Sequence, residues 1–309
     1  MSRRALILIV CASCSSHSKP ASSGSDDAGA AVEPADHAAT LDKKCAAGDL
    51  ESCRQLGVMY QDGTSVSVDA RRATQLFNQA CAGNNVSACN NLALNLSEGI
   101  GVDRNAARAI DVYQKACDGG FALACRNLGL LLRDGHGGAT PDLGRAALLL
   151  DRACKASVTF ACKNAGDLDA MVAIKSTPSR WKQALAHYKQ GCEAGDSTAC
   201  RQIGLLYLEG KGLPKSTTAA TVWLERACVG DDGLACRVFG AMLIEGVGVA
   251  KRDVERGKQL LQRACDAKDA EACTLVQKVE EALGSGSGFG SGSGALGSGT
   301  GLLGSGWSG

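Results

Sequence analysis

Residues 81–125 read CAGNNVSACNNLALNLSEGIGVDRNAARAIDVYQKACDGGFALAC, and their organisation decides the fold. Cys81 and Cys89 are spaced C-x7-C, and the same spacing returns at Cys117 and Cys125. From Cys89 the residue before it and those three, four and seven after it are Ala88, Leu92, Ala93 and Leu96, which cover one face of a 3.6-residue helix. Gly99-Ile100-Gly101-Val102 then punctuates the chain as a turn. Ala109, Tyr113, Ala116 and Cys117 follow at spacings of four, three and one, alternating small and large side chains so that a second helix interlocks closely with the first.

Working outward, the same unit fills most of the chain. Cysteine pairs fall at 45/53, 81/89, 117/125, 154/162, 192/200, 228/236 and 265/273, with first members 36 to 38 residues apart. A fixed period in that range is the signature of a solenoid. Related first helices carry Ser52, Leu56, Gly57 and Tyr60, or Ala199, Ile203, Gly204 and Tyr207. Related second helices carry Ala73, Phe77, Ala80 and Cys81, or Ala220, Leu224, Ala227 and Cys228. A glycine inside a helix costs about 1 kcal/mol relative to alanine. Its return at 57, 129, 166, 204 and 240 therefore predicts a neighbouring helix crossing too closely for a side chain.

The segment between paired cysteines explains the pairing. Three residues after each first cysteine stand Gly48, Asn84, Gly120, Ser157, Gly195, Asp231 and Lys268, five of which suit the left-handed conformation that ends a helix. Next come Asp49, Asn85, Phe121, Val158, Asp196, Asp232 and Asp269, five of them good N-caps. One helix stops and another begins between the cysteines, which sit four residues either side of the turn. Facing positions in such a hairpin bring Cα atoms within the roughly 4.4–6.8 Å that a disulfide needs. The expectation is seven disulfides, Cys45–Cys53, Cys81–Cys89, Cys117–Cys125, Cys154–Cys162, Cys192–Cys200, Cys228–Cys236 and Cys265–Cys273. In the chain-entropy model each contributes about 2.5 kcal/mol. Thiolate metal sites would instead call for C-x2-C spacing and converging further ligands, so no metal is expected.

The fourth unit departs from the pattern. Asp169 stands where an apolar residue is due, and Lys175-Ser176-Thr177-Pro178-Ser179 replaces the glycine turn. Thr177 and Pro178 still force a helix break, and the unit is expected to be irregular or longer.

Ala88-Cys89-Asn90-Asn91-Leu92-Ala93 and Ala124-Cys125-Arg126-Asn127-Leu128-Gly129 closely resemble the Sel1-like repeat. The cysteine spacing is similar to that of the Helicobacter cysteine-rich protein family within it. The resemblance covers about residues 41–283. It implies an all-α fold, an α/α superhelix like that of tetratricopeptide repeats. It also implies an exported protein and an adaptor role. Some family members are described as penicillin-binding or β-lactamase-like, which makes a hydrolase the alternative.

The flanks differ from the repeats. Residues 1–14, MSRRALILIVCASC, read as a lipoprotein-type export signal, with Arg3 and Arg4 ahead of a short apolar run and Ala12-Ser13 ahead of Cys14 as the lipidation candidate. Cys11 stands where such signals usually carry leucine. Residues 15–35 read as a flexible tether, 36–283 as the solenoid, and 284–309 as a Gly/Ser-rich low-complexity tail. Membrane association is expected only through the lipid anchor.

Composition limits the function. The 33 basic and 32 acidic side chains balance, which argues against a nucleic-acid partner. The S-x-x-K at Ser16-His17-Ser18-Lys19 lies in the tether; K-T-G and S-D-N are missing, and no catalytic residue is assigned. His136 reads as a solvated turn residue and His187 as structural or surface-exposed. No glycine-rich nucleotide fingerprint follows a strand, so no cofactor is expected. The surviving expectation is a protein or peptide ligand on the first helices. One and two residues after each second cysteine stand Arg54/Gln55, Asn90/Asn91, Arg126/Asn127, Lys163/Asn164, Arg201/Gln202 and Arg237/Val238. Gln55, Asn91, Asn127, Asn164 and Gln202 would pair with an extended backbone, beside the cations Arg54, Arg126, Arg201 and Arg237.

Overall fold

The computed structural model describes residues 34–175 and 177–284. The signal segment with Cys14, the tether up to residue 33 and the tail from residue 285 lie outside them. Fourteen α-helices run in order among the described residues: α1 (Pro34–Ala46), α2 (Leu50–Asp62), α3 (Ala70–Ala82), α4 (Val86–Glu98), α5 (Ala106–Asp118), α6 (Ala122–Asp134) and α7 (Leu143–Lys155), then α8 (Ala161–Lys175), α9 (Trp181–Glu193), α10 (Ser197–Glu209), α11 (Thr217–Val229), α12 (Gly233–Glu245), α13 (Val254–Asp266) and α14 (Ala270–Gly284). Six helix pairs, α2/α3 through α12/α13, are framed by α1 and α14, and each helix packs mainly on its neighbours in sequence. That is an α/α solenoid.

Within four of the six pairs the helices interlock as the glycines foretell. A Cβ on Gly57 would lie 2.6 Å from the ring of Phe77, one on Gly166 2.6 Å from the ring of Tyr188, and one on Gly204 2.6 Å from Leu224. Gly129 meets Leu150 in the same way at 2.8 Å. In these four pairs the large residue of the second helix thus fills the notch left by the first helix's glycine, whereas Gly240 of α12 meets the carbonyl oxygen of Gly257. A second glycine locks the turn onto the preceding repeat. Gly101 has φ +65°, and a Cβ there would lie 2.0 Å from the carbonyl oxygen of Ala70.

All seven disulfides join the expected partners, with Cα separations from 4.4 Å at Cys154–Cys162 to 4.7 Å at Cys117–Cys125 and Cys192–Cys200. Each staples the second helix of one repeat to the first helix of the next. Asp49, Asn85, Asp196, Asp232 and Asp269 cap the following helix through their side chains, as expected. The turn before them is more uniform than the residue types suggest. All seven residues there have positive φ, including Ser157 (φ 56°) and Lys268 (φ 71°), because the closed hairpin dictates the backbone whatever side chain stands on it.

The fourth unit is irregular, as its sequence implies. Phe160 has φ 62° and is exposed; α8 runs 15 residues, and a 3₁₀ turn over Pro178–Arg180 stands in for the glycine turn.

Candidate functional site

The residues just after each second cysteine occupy the N-terminal half of α2, α4, α6, α8, α10 and α12. Helix α8 also touches both α6 and α10, so these side chains meet across repeats. The sequence places the row on a face turned away from the core; the folded chain half-buries most of it between repeats and buries Asn90 and Val238 fully. Gln55 alone of the row is exposed.

Much of the row's hydrogen-bonding capacity is spent between repeats. Asn127 Nδ2 donates to Asn90 Oδ1 at 2.9 Å, and Arg126 Nε donates to Asn164 Oδ1 at 2.8 Å. Asn90 Nδ2 donates to Asn91 Oδ1 at 3.4 Å. Among the described residues Gln202's amide has no partner.

The cations separate into two kinds. Arg54 is paired with Glu51 at 2.6 Å, whose carboxylate also accepts from Asn85 and Gln55. The Arg54 bonds foremost, then those from Asn85 and Gln55, hold the Glu51 carboxyl down at about 2. Lys163 is paired with Asp167 at 2.6 Å, Arg201 with Asp232 at 3.0 Å, and Arg237 with Asp269 at 2.9 Å and with Glu271. Asp232 and Asp269 cap the first helix of the next repeat, so Arg201 and Arg237 tie one first helix to the next.

Arg126 is the exception. It is half-buried, its partners are the amides of Asn164 and Asn127, and among the described residues no carboxylate stands within ion-pair distance. Burial, and then the nearby charge of Arg133, push its pKa down. The result is an uncompensated guanidinium held by side-chain oxygens, with Asn90 and Asn91 of α4 and Asn164 of α8 on either side. Such a group donates strongly to an incoming anion.

The fourth repeat holds a second polar cluster. His187 of α9 lies 2.9 Å from Asp169 through Nδ1 and 3.5 Å from Asp151 of α7 through Nε2. Asp169, almost fully buried, also pairs with Arg180 at 2.9 Å. Tyr188 donates to Asp167 at 3.0 Å, and burial raises the phenol's pKa strongly. The hydrogen bond to Asp169 outweighs partial burial and lifts the His187 pKa. His136, exposed in its turn, lies 3.0 Å from Glu98.

One repeating contact was not foreseen. Two residues before the first cysteine stand Lys43, Gln79, Lys115, Arg152, Gln190, Arg226 and Arg263, every one a long side-chain donor. Lys115 donates to the carbonyl of Cys81 at 3.0 Å, Arg152 to Cys117 at 2.9 Å, and Arg226 to Cys192 at 3.1 Å. These cations cap the carbonyl end of the preceding second helix, where the macrodipole is negative. The signal lay in a column beside the cysteines.

Among the described residues no group of three or more His, Cys, Asp or Glu could hold a metal ion, and no helix is long and apolar enough to cross a membrane. The fold and this shared face define a class: a helix-pair solenoid that presents side chains from successive first helices, stapled by disulfides that place it in an oxidising extracellular or periplasmic setting. The Sel1 repeat model matches residues 50–85, 86–121, 122–158, 182–196, 197–228 and 234–269, more than half of the chain. The chain belongs to the Sel1 repeat family. The model passes over residues 159–181, the irregular part of the fourth repeat.

Two solved structures agree on the fold. The protective antigen c5321 of uropathogenic Escherichia coli is 22% identical with a TM-score of 0.69, over 80% of this chain and 52% of that one, so this chain spans about half of its length. A Sel1 repeat protein of Oxalobacter formigenes is 21% identical with a TM-score of 0.58, over 74% of this chain and 96% of that one. Helicobacter pylori cysteine-rich protein B is 22% identical, over 45% of this chain and 98% of its own, with a TM-score of 0.36. Comparison with curated proteins gives no match.

Proposed function

We propose that this protein is an exported scaffold, tethered through a lipidated Cys14, that binds a protein or peptide partner along the first-helix face. Sel1 repeat proteins generally engage protein partners, and the solenoid offers an extended surface rather than a closed pocket. The observation that carries the reading is Arg126. In this row the other cations each meet a carboxylate, whereas Arg126 is held half-buried by amides with its charge unanswered. A carboxylate of the partner would complete it, and the free positions on Asn91, Asn127 and Gln202 would read the adjoining backbone. Export rests on the sequence from Arg3 to Cys14 together with the oxidised cysteines.

The test is affinity capture with the full oxidised chain from the cell envelope, comparing wild type with Arg126→Ala. A stoichiometric partner whose recovery falls at least ten-fold with the variant, while the melting temperature stays within a few degrees, is the expected result. Equal recovery with both proteins sinks the Arg126 reading. Turnover of a chromogenic cephalosporin by the purified chain would overturn the scaffold reading and revive the hydrolase alternative.

A further inference from the structure

A second ladder runs along the other set of helices. Arg72, Arg108, Arg145 and Arg256 each occupy the third position of a second helix and reach back 30 or 31 residues to the preceding second helix. The outer rungs end on carboxylates: Arg72 on Asp42 at 3.4 Å and Arg256 on Glu225. The two inner rungs end on amides instead. Arg108 donates to Asn78 Oδ1 at 2.9 Å and Arg145 to Gln114 Oε1 at 2.6 Å. An amide oxygen satisfies one N–H of a guanidinium and leaves its positive charge unanswered.

Those two rungs border two grooves between repeats. The first, about 310 Å³, lies between α3 and α5 on a floor of Leu92 and Leu96, with Arg71 and Arg108 at its rim. The second, about 620 Å³, lies between α5 and α7, with Leu132 and Ala139 below and Arg145 at the rim. Leu96, Gly101 and Arg108 recur as Leu132, Gly138 and Arg145, 36 or 37 residues on, so the two grooves are one site built twice. Among the described residues no ion pair neutralises Arg71, which is exposed. Asp142, the acid lining the second groove, is already engaged in capping α7 at the backbone N–H of Arg145. Beside the first groove, Asn95 is fully buried; its Nδ2 bonds to the groove-lining Thr74 at 2.8 Å, while its Oδ1 has no partner.

We propose that these paired grooves are a docking surface for an acidic, extended segment of a partner protein. Its bulky apolar side chains enter the grooves, and its carboxylates take Arg71, Arg108 and Arg145. Charge complementarity selects this occupant: an apolar floor alone would accept any hydrophobic segment, but three cations at the rim that no described acid pairs favour an acidic one. Carboxylates suit the guanidinium fork through paired N–H donors. The surface lies on α3, α5 and α7, so it is separate from the Arg126 row and does not depend on it.

The test uses a fluorescein-labelled twelve-residue peptide of alternating Glu and Leu, titrated with the full oxidised chain and read by fluorescence anisotropy. The key variant is Asn78→Asp with Gln114→Glu, which gives both inner rungs the carboxylate that the outer rungs already have. It leaves the arginines and the fold in place and should weaken binding at least ten-fold. Arg108→Gln with Arg145→Gln should do the same, and Arg126→Ala should leave this peptide's affinity unchanged. Absence of saturable binding overturns the proposal. So does equal affinity of the key variant, equal binding of a Lys/Leu peptide, or tighter binding of a twelve-nucleotide single strand.

Discussion

Lys268 holds an exposed left-handed backbone, φ 71°, at the turn where three of the other repeats use glycine. A side chain in that conformation costs about 1 kcal/mol or more, because Cβ crowds the following carbonyl. Its hydrogen bonds are made by the backbone, Lys268 N–H to the carbonyl of Cys265 at 2.8 Å, so the side chain contributes nothing that glycine would lose. Lys268→Gly should therefore stabilise the last repeat by about 0.5–1 kcal/mol, after the extra freedom of glycine in the unfolded chain is subtracted. A differential scanning measurement should show a rise of a few degrees in the transition containing α13 and α14; an unchanged or lower midpoint refutes it. At this scale the sequence is nearly transparent. The five helical glycines, the small–large alternation and the cysteine spacing each announce a contact a few residues wide or one repeat away. What it conceals is the partner of a polar side chain. Arg126 and Arg201 look alike in the sequence, and only the stacking gives one an Asp232 and the other two asparagine oxygens.

Among the elements, α8 and α9 form the pair in which repeat geometry yields to charge. Asp169 replaces the apolar residue of other first helices and is buried all the same, because Arg180 and His187 reach it from the turn and the next helix. The misfit at Asp169 and the Pro178 break were visible in the sequence. The answering partners were not, since they stand 11 and 18 residues away and meet it only once α9 folds back. Partial burial works against the charge on Asp151, but the bonds from Lys155 and His187 outweigh it and hold that carboxyl below its ordinary range. His187 is raised in the folded state, so its charged form favours folding. The sign follows from linkage: this stabilisation is complete below the unfolded histidine pKa of about 6.5 and is lost as pH rises through the higher folded value. Backbone amides of α8 and α9 should exchange faster at pH 8.5 than at pH 5.5, after correction for the intrinsic rate. His187→Gln should flatten that dependence while α2 to α5 stay unaffected. An equal pH response in wild type and variant would remove His187 from this role.

Across the whole molecule, the apolar core is divided near that same pair. One large cluster of buried side chains runs from Ala73 to Leu168, and another from Ala184 to Ala272, with smaller ones at the two ends. Each disulfide joins the end of one repeat to the start of the next, so none spans the junction between α8 and α9. That junction is held by the Gly166–Tyr188 interlock and by the Asp169, Arg180 and His187 contacts. In a solenoid, stability is close to a sum of repeat and interface contributions, and a weak interface separates cooperative blocks. The oxidised protein should therefore unfold in denaturant as two blocks, residues 37–168 and 184–279, rather than one. Hydrogen exchange read by mass spectrometry should show amides within each block sharing one opening free energy, with the change of value between α8 and α9. Asp169→Ala should widen the gap between the two transitions, because it leaves Arg180 and His187 without their shared carboxylate. Removing the Cys81–Cys89 staple by paired alanine substitution should lower only the first block, by about 2.5 kcal/mol. A single transition in which every amide from α2 to α13 opens together, in wild type and in both variants, would show that the junction transmits as much coupling as any other and that the fourth repeat is irregular in geometry alone.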